Sequence, residues 1–553
     1  MRKSFWWVAL VWTSLVATAQ RPEKPSASDI YHQIEKLNFL GNVLYVAAHP
    51  DDENTRLIAY LANHVHARTG YLSLTRGDGG QNLIGPELRE LLGVIRTQEL
   101  IEARRIDGGE QFFTRANDFG FSKNPTETLA IWDKEQVLSD MVWVMRQFRP
   151  DIIINRFDHR SPGTTHGHHT ASAQLALEAF ERSAAATSFP EQLTLIQPWQ
   201  PKRIYFNTSW WFYGSKEKFE KADKSNLTSL DIGIFYPYNG KSNQEIAALS
   251  RSCHQSQGFG NTGTRGSEME YLEWLKGDKP TASSNLFEGI DTTWNRLAEG
   301  KPIGALLERV QKSFNFNNPA ASLPDLVKAY TLIQQLSDPF WREQKSEEIK
   351  RIIAACAGLY LEAVADTQEV TPGSSLGIKV EAINRSAADI RLTRIETYPS
   401  TPVDWNNVSL PYNQVKTHSF TMTLPANHPY TAPYYLEETA RLGMYSVSAL
   451  TRRSKPDVER PTNVTFILSV LGVDIPFTKK VVYKYNDDVK GEVYQPLDIV
   501  PVVTSTLKDK VMIFPKNRAR EVQVVIKAGK GNIEGTAHLE VPSTWKIIPE
   551  SIP

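Results

Sequence analysis

Between about residues 40 and 280, short apolar runs alternate with stretches whose apolar positions recur at helical spacing. Val43–Ala48 is an unbroken apolar run, as in a strand covered on both faces. Leu57, Ile58, Tyr60 and Leu61 then predict a helix over Asn54–His66, and Thr69–Leu74 a second strand. A long helix is expected over Pro86–Ile106, with Leu88, Leu91, Leu92 and Ile95 on one face. Another is expected over Gln136–Phe148, with Val137, Met141, Val144 and Met145 inward. Pro150 stops it, and Asp151–Asn155 follows as a strand. His166–Glu181 and Glu245–Gln257 read as helices, and Arg203–Asn207 and Leu230–Phe235 as strands. Such alternation predicts a mainly parallel sheet with helices on both faces.

The pattern changes twice more. Residues near 302–360 are polar and helical, with Leu306, Leu307 and Val310, then Leu326, Tyr330 and Ile333, at core spacing. They read as a helical connector. Beyond 360, short alternating runs such as Leu376–Ala382 are separated by turn signals such as Thr371-Pro372-Gly373 and Ser400-Thr401-Pro402, the signature of an Ig-like β-sandwich. A further β unit starts near Val500, with Val522, Val524 and Ile526 alternating. Too few strands remain before Pro553 to close a second sandwich, so an incomplete domain or a small β appendage is expected. The expected division is 1–19, 35–300, 301–358, 359–495 and 496–553.

The first of these segments reads as a signal peptide. Arg2 and Lys3 precede the apolar run Phe5–Val16 and the small-x-small site Ala17-Thr18-Ala19, so export to the periplasm or medium is expected, with a mature chain beginning at Gln20. No cysteine follows that site to carry a lipid, and no other segment looks able to span a membrane. Lys+Arg and Asp+Glu balance at 62 each, so no global charge draws the chain to nucleic acid or an anionic membrane. The 553 residues exceed a single core, and 41% hydrophobic content is that of an ordinary globular protein. Cys253 and Cys356 are not spaced as a metal site and read as two buried free thiols.

Chemistry gathers at His49-Pro50-Asp51-Asp52-Glu53, in the turn between the first strand and its helix. Strand-to-helix turns at the carboxyl edge of such a sheet are where ligands bind. His49 and Asp52 are good zinc ligands, and a catalytic zinc takes three protein ligands and leaves a position for water. The third is expected from Thr165-His166-Gly167-His168-His169-Thr170, just beyond another strand. His166 and His169 share a helix face, and His168 points elsewhere. His169 is assigned as the ligand and His166 as a neighbouring acid or oxyanion donor, with His166 as ligand the alternative. Asp51, between two ligands, is free to act as base, and Glu53 is expected behind them. An acidic helix cap and a His-rich surface helix would account for either cluster alone, but not for both at strand ends.

His49-Pro50-Asp51-Asp52-Glu53 resembles the signature of the PIG-L/LmbE-type metal-dependent N-deacetylases, which hydrolyse the acetamide of N-acetylglucosamine-containing compounds. The resemblance spans about residues 40–260. Within it, Thr75-Arg76-Gly77-Asp78-Gly79-Gly80 resembles the family's glycine loop, Arg96-Thr97-Gln98-Glu99 its Arg-x-x-Glu helix, and Arg149-Pro150-Asp151 its next strand. Leu249 through Gln257 resembles its Ala-Leu-x-x-His-x-Ser-Gln segment.

This resemblance implies a Rossmann-like catalytic domain and a small-molecule or glycan amino-sugar substrate. It implies Zn2+, or alternatively Fe2+, on His49, Asp52 and His169, with Asp51 as base and His166 as acid and oxyanion donor. Arg96, Gly79, Gly80 and His254 would touch substrate. Trp210, Trp211, Phe212 and Tyr213 offer faces for a sugar ring, and Arg251 and Arg265 are rim charges. Many members carry Asp where this chain has His168, so Asp158 is expected to stand in for that Asp beside His166. The other functions in view are amide hydrolysis of a non-sugar compound, and glycan binding by the β domains beside a vestigial zinc site.

Overall fold

The computed structural model describes residues 22, 24–161, 165–281, 284–509, 511–515 and 518–553. The expected leader at 1–19 lies outside them. The first part begins with α1 (Ala27–Leu37), β1 (Asn42–Ala47), α2 (Thr55–Asn63), β2 (Arg68–Ser73), α3 (Glu90–Asp107) and β3 (Glu110–Phe113). It continues with α4 (Pro125–Ile131), α5 (Lys134–Phe148), β4 (Ile152–Asn155), α6 (Gly167–Arg182), β5 (Arg203–Thr208) and α7 (Lys216–Lys221). It ends with β6 (Leu227–Asp231), the short pair β7 (Phe235–Tyr236) and β8 (Lys241–Ser242), α8 (Asn243–Arg251) and β9 (Met269–Gly277).

The sheet order is β3-β2-β1-β4-β5-β9-β6. The first five strands are parallel, and β9 runs antiparallel to β5 and β6. From β1 the chain winds outward to β3, then returns to place β4 on the other side of β1. The loops after β1 and β4 therefore diverge, and a crevice opens between them at the carboxyl ends of the strands.

Burial explains the unbroken apolar run of β1. Leu44 and Val46 pack with Met141, Val144 and Met145 of α5 and Leu175 of α6. Val43, Tyr45 and Ala47 pack on the opposite face with Leu57, Ile58 and Leu61 of α2. The Asn54 side chain accepts the Leu57 N–H at 3.2 Å and so starts α2 at the turn.

Several expected boundaries are corrected. Leu88 and Leu91 are exposed, and α3 buries the expected Leu92 together with Arg96, Glu99 and Leu100. Its inward stripe is partly charged, so a purely apolar reading misplaced its phase. The helix expected to Gln257 ends at Arg251, and the strand expected over Leu230–Phe235 lies at Leu227–Asp231. β3 and β9 were not foreseen.

α9 (Gly300–Lys312), α10 (Leu323–Ile333) and α11 (Pro339–Cys356) are joined by α1. Their core is continuous with the β sheets that follow: Ile34, Leu307, Ile333 and Ile353 belong to the same buried cluster as Leu361, Val380 and Phe466. One following sheet has five strands, including Tyr360–Ala365 and Ser375–Ile383, and another has four, including Ile390–Tyr398 and Asn463–Val470. Farther on, Val503–Leu507 and Val524–Ala528 form an antiparallel pair with exposed side chains. Cys356 is buried and Cys253 half-buried, and neither is in a disulfide.

A segment near residues 434–457 leaves the β sheets and lies against the first part. Arg76, 1% exposed, is its anchor. Its guanidinium donates to Thr97 Oγ1 at 2.9 Å, Tyr434 Oη at 3.0 Å, and the carbonyls of Pro456 and Lys455 at 3.0 and 3.1 Å. It also stacks 3.7 Å from the Tyr435 ring centre. Asn117 N donates to the Gly443 carbonyl, tying the segment to the loop that carries Asp118.

Candidate metal centre

The loop after β1 and the start of α6 bring His49, Asp52 and His169 together, with one ligand atom of each within 4.8 Å of the others. Asp52 Oδ2 lies 3.1 Å from His49 Nδ1, and Asp52 Oδ1 lies 3.5 Å from His169 Nε2. The outward nitrogens are engaged from behind. His49 Nε2 is 2.9 Å from His168 Nδ1, and His169 Nδ1 is 2.8 Å from Thr165 Oγ1. Phe157 stacks on His169 at 3.8 Å. Two imidazoles and a carboxylate, with both rings oriented by a second contact, form a donor set suited to zinc or iron(II).

The electrostatics also favour a cation. Burial works against the Asp52 carboxylate, yet the adjacent His169 and His49 hold its pKa below the usual range. Burial likewise opposes a charged His49, but Asp52 raises its pKa to about 9. Asp51 behaves differently: burial and the charge of Asp52 raise its carboxyl pKa above the ordinary value. Its backbone has φ 109°, a conformation that side chains rarely adopt. The strain is held from both sides, since its N–H donates to Glu53 Oε2 at 2.9 Å and its carbonyl accepts from Arg251.

His166 caps α6, its Nδ1 accepting the His168 N–H at 3.1 Å. Nε2 therefore carries the proton when the ring is neutral, and burial with His49 nearby lowers the ring's pKa. His166 and His168 form a second grouping with His49. There His49 Nε2 is already hydrogen-bonded to His168 Nδ1 and His166 Nδ1 to the His168 N–H, and the nearby carboxylate of Asp118 stands 3.8 Å from His168 Nδ1, so His49, Asp52 and His169 are the better-matched ligands.

His168 is fully buried, stacked on Trp132 at 4.6 Å and edge-on to Phe119 at 4.4 Å. It supports His49 rather than His166. Asp158 accepts from Arg160 at 2.8 Å and Ser161 at 3.2 Å, and is not brought to His166. Glu53 lies behind the centre, 3% exposed, accepting from His254 Nε2 at 2.7 Å and Arg104 at 3.4 Å.

The residues expected to touch substrate are placed otherwise. His254 is buried against Glu53. Arg96 is buried and donates to the carbonyls of Gly77 and Gln81, both at 2.9 Å. A Cβ on Gly80 would come 2.4 Å from Arg96 Nη1, and one on Gly79 2.4 Å from Gly120 N. These glycines permit close loop packing, and neither Arg96 nor His254 lines the cleft.

The cleft encloses about 820 Å³ and is walled by Asp51, Asp52, His169, Arg156, Trp210 and Trp211, among others. Arg251 also lines it, whereas Arg265 pairs with Glu245 at 2.5 Å. Arg156 was missed because nothing local distinguishes it. Asp78 and Asp118, joined by the Asp118 N–H to Asp78 Oδ2 bond at 2.9 Å, lie in separate loops and were missed as a pair.

The mainly parallel sheet thus places a His/Asp/His donor set suited to a divalent metal at its switch point, where α/β folds bind ligands. Residues 44–180 match the family described as PIG-L: GlcNAc-PI de-N-acetylase. Over these residues the chain carries a PIG-L domain match, and the curated relatives it resembles there are named as an amidase and a deacetylase. It is 28% identical over 209 residues to a mycothiol S-conjugate amidase of Streptomyces coelicolor, a match covering 35% of this chain and 68% of that protein. It is 29% identical over 203 residues to a 1D-myo-inositol 2-acetamido-2-deoxy-alpha-D-glucopyranoside deacetylase of Kineococcus radiotolerans, covering 31% and 53%. The chain thus spans about half to two thirds of these relatives.

An N,N'-diacetylchitobiose deacetylase structure from Pyrococcus horikoshii overlaps at 22% identity and TM-score 0.25, covering 30% of this chain and 59% of that one. The 4-carboxy-2-hydroxymuconate hydratase of Pseudomonas putida overlaps at 19% and 0.28, covering 45% and 100%. Both overlaps are too slight to argue from. Among the described residues, no helix is long and apolar enough to cross a membrane.

Proposed function

We propose that this chain is an exported hydrolase that removes the N-acetyl group from an amino-sugar substrate, with Zn2+ or Fe2+ held by His49, Asp52 and His169. The observation that carries the reading is the convergence of these three donors, with Asp52 and His169 beside Asp51 on the wall of one cleft. The bound metal supplies Lewis acidity to the amide carbonyl and to water.

Asp51, with its raised pKa, accepts the proton of the attacking water. His166 presents Nε2–H to the oxygen that becomes negative as water adds to the carbonyl carbon. As the C–N bond breaks, His166 gives its own Nε2–H to the departing nitrogen and the proton collected by Asp51 replaces it on Nε2, leaving acetate, a free amine and a neutral ring. His168 and Thr165 hold the rings of His49 and His169 in register throughout. Trp210 and Trp211, 45% and 59% exposed on the cleft wall, offer apolar faces to a sugar ring. The leader-like pattern at residues 1–19 supports export.

A second reading keeps the centre and changes the bond, to an amide other than an acetamide, for example of a non-sugar compound; that a relative is named as an amidase is its support. Acetate release from a panel of N-acetyl glycans by the zinc-loaded protein separates the two. Release supports deacetylation of an amino sugar. Stoichiometric zinc without acetate from any glycan supports the second reading. Failure to hold metal refutes both and favours glycan binding.

A further inference from the structure

We propose that His32, Glu35 and His66 form a second metal site, which takes a divalent cation of the zinc class and pins α1 to the turn between α2 and β2. One ligand atom from each residue lies within 4.8 Å of the others. Helical spacing puts His32 and Glu35 on the same face of α1. His66 lies just before β2 at φ 67°, and its ring centre is 5.0 Å from that of His32.

Glu35 Oε2 stands 3.8 Å from His32 Nδ1 and 3.9 Å from His66 Nε2, too far for hydrogen bonds. Zinc bonds of about 2.0–2.1 Å in tetrahedral array set ligand atoms about 3.3 Å apart. Capture of an ion would therefore draw the Glu35 carboxylate about half an ångström closer to each imidazole.

A second observation points the same way. His32 is 8% exposed, and its Nε2 is buried without a hydrogen-bond partner. Nδ1 is the nitrogen that faces Glu35, at 3.8 Å, and with Nε2 orphaned the Asn63 side chain offsets only part of the burial of this ring. Tyr238 stacks on the ring at 4.3 Å and 14°, fixing its orientation. Two histidines and a glutamate form an established zinc donor set that leaves a fourth position for water. The side chains of Glu35 and His66 are 28% and 23% exposed, which gives an ion a path in.

The site is separate from the candidate centre. His66 precedes the start of β2, whereas His49 follows the end of the parallel β1. The two clusters are thus at opposite ends of six-residue strands, about 20 Å of chain. Because α1 packs with α9 and α11, an ion here would join the helical layer to the edge of the sheet.

Metal-stripped full-length protein titrated with Zn2+ tests this by native mass spectrometry. Two ions per chain are expected, one in His32→Ala/His66→Ala and one in Asp52→Ala. A single ion that Asp52→Ala removes, two ions persisting in the histidine variant, or no bound ion overturns the proposal. A single ion kept by Asp52→Ala and lost in the histidine variant supports this site and refutes the other. Should the histidine variant fold poorly, Glu35→Gln is nearly isosteric. It is expected to weaken the second ion at least tenfold with an unchanged circular dichroism spectrum, and unaltered affinity overturns the proposal.

Discussion

Replacing His168 with Phe tests how the candidate centre is held. The ring is sandwiched by Trp132 and Phe119, contacts that Phe retains. Its Nε2 already lacks a partner, so Phe strands nothing there. What it removes is Nδ1, the hydrogen-bond partner of His49 Nε2 at 2.9 Å. A buried donor left unpaired costs about 1–3 kcal/mol. Removing a group that orients a ligating imidazole typically lowers metal affinity about 10–100-fold, or about 1.4–2.7 kcal/mol. Competition against a chromophoric chelator should therefore show zinc affinity at the candidate centre falling by that factor, with a near-native circular dichroism spectrum. Affinity within about twofold of wild type would refute the assignment of His168 as the support of His49.

Three further predictions concern the surroundings. Burial opposes the Glu53 carboxylate, yet His254 and Arg104 lower its pKa from 4.5 to about 2, so its stabilisation is present above pH 4.5 and is lost as pH falls through about 2. Glu53→Gln should thus lose about 3 kcal/mol in urea unfolding at pH 7, with the deficit shrinking toward pH 2; a pH-independent deficit contradicts this. Asp158→Asn should leave the pH–rate profile in place, because its carboxylate is occupied by Arg160 and Ser161; a shifted limb would restore a role beside His166. Arg76→Met should cost about 1–3 kcal/mol for each buried carbonyl or hydroxyl acceptor it leaves unpaired, measured by thermal or urea unfolding, and a total loss under about 1 kcal/mol would mean that residues near 434–457 rest on the first part without stabilising it.

Local patterns located β1, α2 and the acidic turn, because a strand covered on both faces is an unbroken apolar run and the next helix begins at once. They also paired the turn with His166 and His169, since both clusters follow strands that end at the same edge of the sheet. β9 was hidden because its buried face carries the charged Glu270 beside Leu272, so its residues do not alternate cleanly between apolar and polar. His168 could be seen to leave the face of His166 and His169, but its contact with His49 depends on a loop path that spacing does not encode. Arg96 and His254 resembled substrate contacts, yet tertiary packing turned both toward internal partners. The helices after residue 300 read as a connector because their core partners, α1 and the later strands, are distant in sequence.

The most direct test of the central claim is acetate release by zinc-loaded wild type and Asp51→Asn on the same N-acetyl amino sugar. The substitution leaves His49, Asp52 and His169 in place and removes only the base. Equal metal at the candidate centre and a fall in kcat of about 100-fold or more are expected. Wild-type protein that releases no acetate, or a variant that turns over at the wild-type rate, would contradict the account.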